Sequence, residues 1–166
     1  MTITETMDNV AAYLRPVLEQ YNTEQPSGTL PVKVYAGFPP VRTSASERES
    51  FVYALVLSAA DNDDDDLSTA TVEIGCSIYD SDPTDGWRAL ANVMEHIRQA
   101  LLTHRTIAHG RNRLELPLKL EIIDEQPYPQ WQGKLTATYT IGQPYEEIDP
   151  ADIGMDAALE DIQIGR

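Results

Sequence analysis

Trp87, Leu90, Met94, Ile97 and Leu101 recur at steps of three and four, which lays one apolar stripe along a helix. Leu114, Leu116, Leu118, Leu120 and Ile122 then recur at steps of two, with Glu115, Lys119 and Glu121 between them. That alternation predicts a strand with one wet face and a leucine face in the core. A turn, Gln126-Pro127-Tyr128-Pro129-Gln130, leads to a second alternating run: Trp131, Gly133, Leu135, Ala137, Tyr139 and Ile141. The two runs are therefore expected to pair antiparallel across a stiff connection. Pro117 cannot donate to a ladder, so it predicts an edge position or an irregular pairing, and an edge needs a cover that another subunit could supply.

Ile3, Met7, Val10, Leu14, Leu18 and Tyr21 keep helical spacing from the start of the chain, and Thr2 with Glu5 has the spacing of a capping box. Pro16 falls inside this pattern and predicts a kink near Tyr13, or two short pieces. Residues 32–38 form a short β-rich run closed by Pro39-Pro40. Residues 41–50 are polar and aperiodic, which suggests a mobile loop. Residues 51–59 are nearly all apolar, as expected of a strand buried on both faces near the centre of a sheet. Val72, Ile74, Cys76 and Ile78 alternate with polar or small residues, so the acidic run at 61–66 becomes a hairpin loop. Residues 80–86, with Pro83 and Asp85, predict a helix start with acids at the positive end of its dipole.

This order predicts an α+β fold: a mostly antiparallel, mixed sheet of about five strands with two main helices packed on it. One domain, residues 1–143, is expected to precede an acidic C-terminal extension, residues 144–166. At 166 residues the chain buries enough surface to fold without a metal or disulfide. Its single cysteine, Cys76, reads as a small buried hydrophobe, which suits a reducing cytoplasm. With no apolar leader and no run long enough to cross a bilayer, the expectation is a soluble protein without membrane contact.

The net charge of -15 is unevenly spread. Five of the excess negative charges lie in residues 61–66 and six in residues 144–166, which leaves four for the rest of the chain. Specific binding to nucleic acid is not expected, because little basic surface is available to release counterions. Asp63, Asp64, Asp65 and Asp66 invite a calcium or hydrolase reading, since hard cations take oxygen ligands at alternate loop positions. Leu67 stands where the sharp turn needs glycine, however, and strands flank the loop, so a solvated hairpin tip is the expectation. His96, His104 and His109 have no carboxylate or cysteine at ligand spacing, and no nucleophile elbow, phosphate loop or cysteine-histidine pair is present. Neither catalysis, a metal nor a cofactor is expected. Arg98, Arg105, Arg111 and Arg113 form a local basic stretch: a solvated face, or a surface that pairs with the acidic loop or tail of a neighbouring copy.

Three segments together resemble one family: Asp80-Ser81-Asp82-Pro83-Thr84-Asp85-Gly86-Trp87-Arg88; the helix end Ile97-Arg98-Gln99-Ala100-Leu101-Leu102; and Leu114-Glu115-Leu116-Pro117-Leu118-Lys119 with Glu125-Gln126-Pro127-Tyr128-Pro129-Gln130-Trp131. They look like the tail terminator or tail completion proteins of tailed bacteriophages and prophages, over roughly residues 50–143. The resemblance implies a small α/β or α+β subunit of a ring, commonly a hexamer. Such a ring caps the finished tail tube, stops its polymerisation and offers the docking surface for a filled head. The implied partners are further copies of the chain, the tail tube protein and a head-tail connector or head-closure protein, with DNA passing through the lumen. The implied location is the tail neck of the virion, after assembly in the host cytoplasm. A head-closure or connector-adaptor protein is the nearest alternative, and a metal-dependent enzyme using the aspartate loop is a more distant one.

Overall fold

The computed structural model describes residues 2–42, 44, 47–63, 67–144 and 147. Among them, helix α1 (Ile3–Thr23) leads into strands β1 (Val32–Ala36), β2 (Ser50–Ala60) and β3 (Leu67–Tyr79). Helix α2 (Trp87–Thr103) follows, then the two-residue strand β4 (Thr106–Ile107), a 3-10 turn (Ala108–Gly110), β5 (Asn112–Ile122) and β6 (Gln130–Gly142). The expected α+β fold is therefore present, with six strands because the short β4 adds one. They lie in the order β1-β2-β3-β6-β5-β4, where β1 and β2 are parallel and every other pair is antiparallel. Both helices cover one face. Val10, Leu14 and Leu18 of α1 and Leu90, Met94 and Ile97 of α2 share one core with Val52, Ile74, Leu135 and Tyr139. No helix among the described residues is long and apolar enough to cross a membrane.

The capping box at Thr2 and Glu5 forms, with the Glu5 N–H donating to Thr2 Oγ1 at 3.1 Å and the Thr2 N–H to Glu5 Oε2 at 2.7 Å. Of the two outcomes expected at Pro16, division into two pieces does not occur, and α1 runs unbroken through it. Pro16 and Ala12, one turn earlier, both lie on the exposed side, where water can take the carbonyl that proline leaves without a donor.

Three further expectations are corrected by where the strands lie. β2 is second from an edge rather than central, and β1 covers it only from Ser50 to Ala54, so Leu57 onward is exposed. Ser50, expected in the loop, opens that strand, and its hydroxyl accepts the Tyr79 N–H at 3.0 Å. β5 alternates as predicted, but its leucine face is not core: Leu114 is fully buried, whereas Leu116, Leu120 and Ile122 are 55%, 38% and 42% exposed. α2 lies mainly over β3 and β6 and reaches β5 only at its margin, so among the described residues most of that face has no cover.

The stripe on α2 is also shifted. Trp87 is 39% exposed with the Arg88 guanidinium 4.7 Å above its ring, and Val93 is buried beside Leu90 and Met94 instead. No acid lies in the first turn of α2 and Gly86 is its N-cap. The acids act one turn earlier: Asp82 Oδ1 accepts the N–H groups of Thr84 and Asp85 at 2.9 and 3.1 Å, and Asp80 Oδ1 accepts that of Asp82 at 2.9 Å. Those hydrogen bonds to its ionised form, Asp85 first and then Thr84, hold the Asp82 carboxyl below its ordinary value.

Candidate functional site

Two of the segments that carry the family resemblance, 80–88 and 125–131, meet at one corner, while 97–102 lies on α2 and 114–119 on β5. The turn at 80–86 and the turn at 126–131 lie 40 or more residues apart in sequence, yet they form one contact. Trp131 Nε1–H donates to the Asp80 carbonyl at 3.1 Å, Tyr128 O–H donates to the Ser81 carbonyl at 2.7 Å, and the Asp80 N–H donates to the Pro129 carbonyl at 3.1 Å. The Tyr128 and Trp131 rings meet edge to face at 6.3 Å. Gly86 is required beneath the indole, because a Cβ there would stand 2.4 Å from Trp131 Nε1 and 2.5 Å from the Asp82 carbonyl. Behind this corner the buried Ser77 hydroxyl donates to Gln130 Oε1 at 3.0 Å and closes the pairing of β3 with β6.

Pro117 lies where β5 and β6 lose register, between Glu115 and Lys119, so the irregular pairing expected from its missing donor is present. β4 ends opposite Arg113, which also makes this stretch of β5 the free edge of the sheet among the described residues.

The four arginines do not form one patch. Arg98 is exposed on α2 and donates to Glu95 Oε1 at 2.9 Å. Arg105 is half-buried and donates through Nε and Nη2 to the Leu114 carbonyl, at 3.1 and 3.0 Å, while the Leu114 N–H donates to the Arg105 carbonyl at 2.7 Å. Its guanidinium thus completes a strand edge. Arg111 and Arg113 come together in an open cleft of about 710 Å³ with Glu5, Thr106, Thr140, Leu67 and Gly142. Leu67 follows the acidic loop and Gly142 precedes the acidic extension, so these two arginines stand at the end of the sheet from which both acidic segments depart.

Of the aspartates, Asp64, Asp65 and Asp66 lie outside the described residues, as does nearly all of 144–166. Asp61 accepts a hydrogen bond from the Ser68 hydroxyl. Among the described residues no three His, Cys, Asp or Glu side chains are placed to hold a metal. The histidines are dispersed: His96 Nε2 lies 3.2 Å from the Val17 carbonyl, His104 is the C-cap of α2, and His109 sits at φ 56° in the 3-10 turn.

Sequence reasoning missed the sheet face that the helices leave uncovered. Tyr53 lies across Gly75 there, and its hydroxyl donates to Glu73 Oε1 at 2.7 Å. Lys134 Nζ stands 3.8 Å from Glu73 and 4.0 Å from Glu121, so β2, β3, β6 and β5 are linked by one polar row. Burial, and then the bond to Glu73, hold the Tyr53 phenol above its ordinary value. The signal was Gly75, a glycine inside a strand, which marks a close approach.

No protein-family model matches the chain, and no curated protein matches it. Seventeen solved chains match it in three dimensions. One of them, a protein with only a sequence label for a name, aligns over its whole length with 88% of this chain at a TM-score of 0.51 and 13% identity. Likeness at that identity shows the fold alone.

Proposed function

We propose that the chain is a bacteriophage tail terminator: a virion structural protein that acts by assembly, forming a ring that caps the tail tube, stops its growth and joins it to the head. The observation that carries the reading is the corner at Trp131. The segments at 80–88 and 125–131, quoted separately for the family resemblance, are parts of one hydrogen-bonded unit. Two of the stretches that carry the resemblance therefore belong to one structural feature, while the others lie on α2 and β5. The outer edge of β5, which no strand among the described residues pairs beyond Arg113, supports the ring, since such an edge beside exposed leucines is a surface that another chain can cover. The acidity also fits: a ring through which DNA passes gains from repelling the phosphate backbone, and eleven excess negative charges sit in two appendages. The proposed place of the protein is the neck of the virion, with the tail tube protein on one side and a connector or head-closure protein on the other.

The test is capping. Purified protein added to polymerising tail tubes is expected to give tubes of uniform length with a ring at one end in electron micrographs. A protein that stays strictly monomeric and leaves tube growth unchanged, with tubes present, sinks the proposal.

A further inference from the structure

The two edges of the sheet share a design. On β1, Asn22 takes both outward groups of Val32: the Val32 N–H donates to Asn22 Oδ1 at 2.9 Å and Asn22 Nδ2 donates to the Val32 carbonyl at 3.2 Å. The Gly37 N–H donates inward to Ala54, so the alternation of the strand turns the backbone groups of Val34 and Ala36 outward, like those of Val32. On β5, Arg105 takes both outward groups of Leu114, the N–H with its main-chain carbonyl and the carbonyl with its guanidinium. Beyond the irregularity at Pro117, the Ile123 N–H donates inward to Gln132, which turns the N–H and carbonyl groups of Leu120 and Ile122 outward. Among the described residues no strand pairs with either outward set. Each edge is thus closed by one residue at one position and open for the next few residues.

We infer that the open run of β5 pairs with the open run of β1 of a second copy, Leu120 and Ile122 against Val34 and Ala36, so that the sheet continues from chain to chain. Three observations select a second copy as the occupant. β1 and β6 run in one sense and β5 in the other, so when copies are related by rotation about an axis along the strands, β5 meets the next β1 antiparallel, the stronger pairing. On the helix side, the half-exposed Leu120 and Ile122 then meet Val34 and Ala36, which already pack against the core. On the other side, Glu121 of β5 shares a face with Lys33 of β1, and both side chains are about 60% exposed, so the two edges are complementary in charge. The contact is heterologous, with different edges meeting, so it builds no two-fold dimer and forms a ring where the rotation between copies closes. This deepens the ring reading and rests on it for its role at the tube.

The experiment uses the full chain, in solution and on tail tubes. Val34→Cys combined with Leu120→Cys or with Ile122→Cys is expected to give, on oxidation, a ladder of linked chains ending at the ring size in a denaturing gel, while Ile122→Cys alone stays single. A second variant, Ile122→Pro, removes an outward N–H that β6 does not use; its expected mass is that of a monomer, with the circular dichroism spectrum of the parent chain. Absence of a ladder from both cysteine pairs, dimers from Ile122→Cys alone, or full assembly by Ile122→Pro each overturns the contact. Linked rings that fail to cap tubes would leave the contact standing and remove the tail-terminator reading, whereas capping without linkage does the reverse.

Discussion

Arg105 and Leu114 hold each other from both directions: the Leu114 N–H donates to the Arg105 carbonyl, and the Arg105 guanidinium donates twice to the Leu114 carbonyl. Leu114 is fully buried, so its carbonyl has no ready substitute donor. Arg105→Ala is expected to lower stability by about 1–3 kcal/mol, the range for losing a charge-assisted bond and stranding its partner. Arg98→Ala, which loses only an exposed pair with Glu95, is expected to stay within about 0.5 kcal/mol. Denaturant titration of the two variants makes the comparison. It follows that Arg111→Glu and Arg113→Glu, not changes at Arg105, are the clean probes of whether basic groups influence the salt sensitivity of assembly.

Gly86→Ala tests the corner at Trp131. Gly86 has ordinary helical angles, so its replacement acts through space alone. The new methyl lies within hydrogen-bond distance of the indole nitrogen and of a backbone carbonyl, and Trp131 must swing away from Asp80. The expected cost is about 1–3 kcal/mol, as for overpacking elsewhere. Tryptophan emission is expected to shift to the red as the ring meets water. An unshifted spectrum with parental stability would show that the corner yields without cost.

Alkaline pH is expected to destabilise the fold through its tyrosines. The Tyr35 phenol is pushed up to about 12, chiefly by its hydrogen bond to Glu49. Tyr53 and Tyr139 are raised further, with burial the main cause in each. A group whose value is raised on folding contributes stability that is fully present below its unfolded value, about 10, and is lost as pH rises through the folded one. The contribution of the tyrosines is therefore expected to be level up to about pH 10 and to fall above it. Denaturation midpoints against pH, with tyrosinate absorbance as a second signal, follow the loss. Tyr53→Phe is expected to flatten the slope, and an unchanged slope in that variant removes Tyr53 from the account.

Periodicity located both helices and the long strands because each buries a face against a neighbour. It erred where a neighbour was missing. Leu116, Leu120 and Ile122 alternate like core residues, yet whether a leucine face is covered depends on how far α2 extends over β5, which no local pattern encodes. Trp87 fits the stripe by spacing, but its ring lies under the Arg88 guanidinium and stays 39% exposed. Pro117 was legible because a missing donor has the same consequence in any fold. Arg105 was legible only as a charge; its partner is a backbone carbonyl, and main-chain acceptors leave no mark in a sequence.

Asn112 joins the start of α1 to the far side of the sheet and is fully buried. Its Nδ2 donates to Thr6 Oγ1 and to the Thr140 carbonyl, both at 3.3 Å, and its Oδ1 accepts from Asn9 Nδ2 at 2.9 Å. Asn112→Ala removes these three hydrogen bonds and is expected to cost about 1–3 kcal/mol. Asn112→Asp keeps the shape but loses both donors and places a carboxylate where water is excluded. Burial raises such a group above its unfolded value near 3.9, so the folded state holds the proton more tightly than the unfolded one. The stability deficit of Asn112→Asp is accordingly expected to be largest near pH 7 and to shrink as pH falls towards about 4. Asn112→Ala, which adds no titrating group, is expected to keep a constant deficit over the same range. Parallel deficits for the two variants, measured by urea denaturation at each pH, would show that the carboxylate escapes to solvent and that the helix end is not anchored there.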